Sequence, residues 1–133
     1  MNEFIVIAGI GQILLAAASC ALPRMLGWRS QTASLDPLTR QVFWIHAGYI
    51  VMTNFCLGFV SSSAPSWLLD GTPLARAVCG YASVYWGARL ILQLCFVRKN
   101  TPPGLAFRFA DMAVTVLFLY LSSVYAFAAL GSL

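Results

Sequence analysis

Few residues in this 133-residue chain are equipped for chemistry, and the most telling is Arg89, a permanent cation inside the apolar run 77–97. A charge in such a run is expensive to bury and marks a functional site by default. Asp111 and His46 are the other ionisable groups placed well within apolar stretches. At a rise of about 1.5 Å per residue from the basic end of each stretch, Arg89 lies about 13 Å in, and Asp111 and His46 about 9 Å. The three depths match closely enough to share one slab. Arg89 and Asp111 are expected to form an ion pair there, relieving a cost that each would otherwise carry alone. A guanidinium, a carboxylate and an imidazole in one layer suit the capture of an anionic group. Arg89 would hold the anion, Asp111 would be its partner when the site is empty, and His46 would make occupancy sensitive to protonation.

Spacing adds neighbours to this layer. Tyr85 and Gln93 lie four residues either side of Arg89, with Tyr81 four further back, so these residues form a slowly drifting helical stripe. Trp86 precedes Arg89 by three and offers a ring to the guanidinium. On the preceding stretch His46, Tyr49 and Thr53 share a face with Asn54 beside it, and Asp111, Thr115 and Ser122 form a row on the last. The expected ligand-binding set is Arg89, Asp111, His46, Tyr85, Gln93, Trp86 and Tyr49. Thr53, Thr115 and Ser122 are read as ordinary interhelical glue, worth about 1 kcal/mol or less each.

Other chemistries find less support. With His46 the single histidine, one chain lacks the paired ligands of a membrane haem, and no Cys-x-x-Cys, phosphate-cradling glycine loop or metalloprotease motif occurs. No metal site is expected, and no cofactor is assigned. Cys56 and Cys79 fall at matching depth near one membrane face and Cys20 and Cys95 near the other; a disulfide across the first pair is conceivable, but cysteine is also a small core hydrophobe.

The elements that must position these residues follow from composition. Hydrophobic residues make up 60% of the chain, charged residues 9%, and the mean hydropathy is +0.81, values that belong to an integral membrane protein. At about 20 apolar residues per crossing, the length allows four spans and no soluble catalytic domain. Spans are expected at residues 4–22, 37–60, 73–97 and 105–130, forming one all-α domain, an antiparallel four-helix bundle. Pro23 and Arg24 close the first. Asp36-Pro37 and Thr72-Pro73 open the second and third as N-cap and first-turn proline, and Pro102-Pro103-Gly104 separates the third from the fourth. Trp28 and Trp67 suit interfacial belts, the 61–70 connection suits a cover over the outer mouth, and Gly80, Ser83 and Gly87 suit close packing.

Arg24, Arg29, Arg40, Arg98, Lys99 and Arg108 flank the first and third connections, whereas Arg76 alone flanks the second. The first and third connections are therefore expected on the cytoplasmic side of a bacterial inner membrane, with both termini outside. The same clustering at span ends argues against nucleic acid as the partner of the net +4 charge. Ala16-Ala17-Ala18-Ser19-Cys20 looks like a processing site, but Met1-Asn2-Glu3 supplies an acidic start, so the first stretch is expected to remain as a mature span.

In layout the chain resembles small bacterial four-helix membrane proteins of the DoxX-like group, on the span pattern alone. It also resembles the membrane-associated eicosanoid and glutathione metabolism proteins in length, helix count and intramembrane arginine. That resemblance implies a second-helix segment supporting glutathione binding and trimerisation. Arg40, His46 and Asn54 echo it only loosely, and no glutamate stands in this helix. The expected function is binding or passage of a small anionic solute or lipid headgroup around Arg89, in a homo-oligomer or as a subunit of a membrane complex. The competing classes are a membrane enzyme on a lipid or thiol substrate, with Tyr85 or His46 as acid or base, and an accessory scaffold.

Overall fold

A computed structural model describes residues 1–131, and every element in them is helical. The first long helix, α1 (Asn2–Ser19), is followed by the short α2 (Leu22–Met25) and α3 (Trp28–Thr32). Asp36 then caps α4 (Pro37–Ser63) by accepting a hydrogen bond from the Leu38 amide at 3.2 Å. A turn of helix, α5 (Pro65–Leu68), leads to α6 (Pro73–Leu92), where the Thr72 hydroxyl accepts from the Ala75 amide at 3.2 Å. In both long helices proline occupies the first turn, where its missing N–H costs nothing. A π-helical turn, Gln93–Val97, continues α6 into α7 (Arg98–Asn100), and α8 (Leu105–Leu130) ends at Gly131 with φ 64°.

Three segments, Asn2–Met25, Pro37–Ser63 and Leu105–Leu130, are long and apolar enough to cross a membrane. Polar residues join the apolar core, and large apolar ones cover much of the surface. Gln12, Asn54, Ser61 and Gln93 are buried, while Leu74, Val84, Leu105 and Val116 stand exposed.

Two antiparallel pairs, α1 with α4 and α6 with α8, make up the molecule, joined by a lighter α1–α8 contact and by α5. In the first pair, Gly9 and Gly58 let the backbones touch: a Cβ on Gly9 would lie 2.5 Å from the Ser62 nitrogen and 2.6 Å from the Gly58 oxygen. In the second, Ser83 and Ser122 exchange hydroxyl-to-carbonyl bonds at 2.9 and 3.1 Å, and Gly87 leaves room for the Ser122 hydroxyl.

The main core cluster lies towards the end that holds Met1, α5 and Gly131, with Ala16 of α1 buried apart from it. Ile5, Ala8, Cys79, Ala82, Trp86, Phe118, Leu121 and Tyr125 form it, and Leu68 of α5 closes it with its carbonyl accepting from Cys79 Sγ at 3.6 Å. The connection expected as a short interfacial cover thus includes a turn of helix that places Leu68 in the core and leaves Trp67 exposed. Towards the other end, α4 has no buried residue before Asn54 and α8 none before Phe118. That end is splayed, with α3 held to α4 by Trp28, Phe43 and Trp44 in edge-to-face contact.

Candidate functional site

The buried positions of α6 read Ala75, Cys79, Ala82 and Trp86, a 4-3-4 spacing that continues through Arg89 to Gln93. Arg89 therefore lies on the inward seam of its helix. It is nevertheless exposed, because at its level neither α4 nor the first half of α8 closes over it. Its guanidinium carbon stands 5.5 Å from the centroid of the Phe118 ring, a cation over an aromatic face. Trp86 stacks on the same ring at 5.4 Å and 28°. The expected ring partner of Arg89 is thus replaced by Phe118, with Trp86 one layer further in.

The expected ion pair between Arg89 and Asp111 is not formed. Asp111 Oδ1 accepts from Gln93 Nε2 at 2.7 Å, and Oδ2 accepts from Arg98 Nε at 2.8 Å, the one ion pair among the described residues. Arg98 Nη2 also donates to the Thr115 hydroxyl at 3.1 Å, which in turn donates to the Asp111 carbonyl at 2.7 Å. The π turn explains the change of partner. In an α-helix, residues five apart point about 140° away from each other. The Arg98 amide bonds to the Gln93 carbonyl, five residues back, and this wider turn brings both side chains to one carboxylate.

The stripe Tyr81, Tyr85, Arg89, Gln93 rotates inward as it descends. Each four-residue step adds about 40° of drift. Tyr81 accordingly lies 67% exposed and Gln93 only 6%. Tyr81 and Tyr85 stack at 6.3 Å, and Tyr85 meets Trp86 edge-on at 5.0 Å.

His46 and Tyr49 do not join this layer. The seam of α4 against α1 runs through Ala47, Val51, Asn54, Gly58 and Ser61, and His46 lies one residue away from it, about 100° around the helix. The imidazole is exposed, with Nδ1 donating to its own helix at the Val42 carbonyl, 2.8 Å away, and Tyr49 is 58% exposed. Counting depth along the chain carries no information on the direction in which these two groups point.

A second polar cluster, unanticipated from the spacing, sits in the packed half. Tyr125 of α8 accepts a hydrogen bond from Gln12 Nε2 of α1, and its hydroxyl lies 2.6 Å from Ser61 Oγ of α4. One phenol so ties three helices together. Gln12 is the only amide in the first apolar stretch, which was signal enough to single it out. Gln12 Oε1 and Trp86 Nε1 are buried without a partner, a cost of about 1–3 kcal/mol each.

The mouth of the splayed end holds a recess of about 740 Å³, lined by Arg98, Thr101, Arg108, Asp111, Met112 and the 102–104 turn. All four cysteines are free thiols, and among the described residues no three His, Cys, Asp or Glu side chains converge for a metal ion. Compared with known protein families, curated proteins and solved structures, the chain matches none.

Proposed function

We propose that the chain is a four-crossing protein of the bacterial inner membrane, both termini outside, that binds or passes a small anionic solute or a lipid headgroup at Arg89. The observation that carries this reading is a cation on the inward seam of α6 that is left uncovered and without a carboxylate, because Asp111 is committed to Arg98 and Gln93. In a low-dielectric layer such a guanidinium favours an anion brought from outside the chain. The Phe118 face beneath it supports the side chain without neutralising it.

Residues 73–97, comprising α6 and the π turn, supply the fourth crossing beside the three longer segments. Arg24, Arg29, Arg40, Arg98, Lys99 and Arg108 all lie towards the splayed end, which places that end on the cytoplasmic side in this reading. The opening between the two helix pairs is then lateral, accessible from the inner leaflet, and a second copy or partner subunit would cover it. His46 plays no part in occupancy, since it faces away.

Arg89→Gln tests the reading in protein reconstituted into phosphatidylcholine vesicles with and without phosphatidylglycerol. Binding of the anionic lipid, or flux of a small anion, should fall at least tenfold, about 1.4 kcal/mol, while stability changes by less than about 1 kcal/mol. Unchanged binding, or a variant that no longer folds, would show Arg89 to be a structural residue.

A further inference from the structure

The recess at the splayed end carries a charge imbalance of its own. Arg98 and Arg108 both line it against the single carboxylate of Asp111, leaving one positive charge uncompensated. Arg98 spends Nε on Asp111 and one Nη2 hydrogen on Thr115, while its Nη1 has no partner among the described residues; its side chain is 46% exposed against 11% for Asp111. Arg108, exposed, makes no side-chain bond among the described residues. The adjoining turn ends in Gly104, whose φ of 137° and missing side chain leave the first amides of α8 uncapped beside the two guanidinia. Two arginines lining one recess can each offer donors to the oxygens of a phosphate.

Asp111 is the element that needs explaining in this setting, since a carboxylate within an anion site competes with the ligand. Its grip on Arg98 exists only through the π turn, which a straight helix would not hold open. We infer that the recess is a phosphate site distinct from Arg89, and that Asp111 is its built-in occupant: a phosphate-bearing group bridging Arg98 and Arg108 displaces the carboxylate from Arg98. Gln93 keeps its bond to Asp111 Oδ1, so the freed carboxylate retains one donor. With Arg98 drawn away, the bond between the Arg98 amide and the Gln93 carbonyl loses the side-chain clamp that stabilises it.

The test uses the full chain in phosphatidylcholine vesicles, with inorganic phosphate as one probe and phosphatidic acid in the same vesicles as the other. Binding of either probe is expected, inorganic phosphate marking a soluble ligand and phosphatidic acid alone marking a lipid headgroup; binding of neither overturns the proposal. Arg98→Gln and Arg108→Gln should each weaken binding at least tenfold. Asp111→Asn should tighten it roughly tenfold, because the competitor is gone. Asp36→Asn, which removes an acid that does not line the recess and keeps a good helix cap, should change it less than twofold. Equal tightening in Asp36→Asn, or none in Asp111→Asn, overturns the proposal. Should Asp111→Asn fail to fold, amide exchange in the wild-type protein decides: the 93–98 amides must exchange faster with the probe present, and unchanged exchange overturns the proposal.

Discussion

The two halves of this molecule use polar residues in opposite ways. In the half that holds both described ends of the chain, polar groups are enclosed and spend themselves on one another: Gln12, Ser61 and Tyr125 bind three helices at one point, beside a backbone contact at Gly9 and Gly58. In the splayed half Gln93 and Arg98 satisfy Asp111 in a similar way, but Arg89, Arg108 and His46 stay at the surface and, among the described residues, make no hydrogen bond to another helix. The same residue types therefore act as adhesive where helices converge and as unsatisfied binding capacity where they part. Helix spacing, more than residue identity, decides which role a polar side chain takes.

The largest break in this contrast should come from Gly9→Val. A Cβ there meets backbone rather than a movable side chain, so α1 and α4 must separate, at a cost of about 3 kcal/mol or more. Gly48→Ala in the splayed half meets nothing within 4 Å and should be neutral or stabilising by up to about 1 kcal/mol. Unfolding in mixed detergent, followed by circular dichroism, compares the two directly. Equal losses would mean that the splayed half is closed by contacts the described chain does not make.

A smaller effect is expected at the shared phenol. Tyr125→Phe strands the Ser61 hydroxyl and leaves the Gln12 amide only its 3.5 Å bond to the Ala8 carbonyl, and should cost about 1–2 kcal/mol. His46→Ala should stay within about 0.5 kcal/mol in the same measurement.

The smallest effect concerns Asp70, at the packed end but outside the spans. The Thr72 amide, then the Thr72 hydroxyl, hydrogen-bonds its carboxylate and holds its pKa below the ordinary aspartate value. A depressed folded-state pKa contributes stability that is present above about pH 3.9 and is lost as pH falls through the lower folded value. Thermal midpoints at neutral pH and near pH 3 should therefore differ slightly less in Asp70→Asn than in the wild type; an identical difference in both would remove Asp70 from the account.

Much of the helical framework was legible from sequence. Proline after a capping residue announced the starts of α4 and α6, and the Pro102-Pro103-Gly104 breaker announced α8, because both signals act through local backbone chemistry. Gln93, which is buried, and its place on one helical row with Arg89 were legible for a similar reason, since a helical stripe is a local property. What stayed hidden depends on neighbours. Depth counting led to the expectation of His46 level with Arg89, but its direction depends on which face of α4 meets α1, and that is set by Gly58 and Ser61. The pairing of Asp111 stayed hidden because counting at 3.6 residues per turn assumes a uniform helix, and the π turn breaks that count within one step of the residue concerned.

A π turn is also a surplus residue stored inside a helix. Every position beyond it, from Arg98 through the 101–104 connection, is turned by about 100° relative to an uninterrupted α6. The mouth of the molecule is thus defined in whole-residue increments: its arginines present one set of directions or another, with no continuous range between. A chain this short has few means of making a discrete choice, and one extra residue in a turn of helix supplies it.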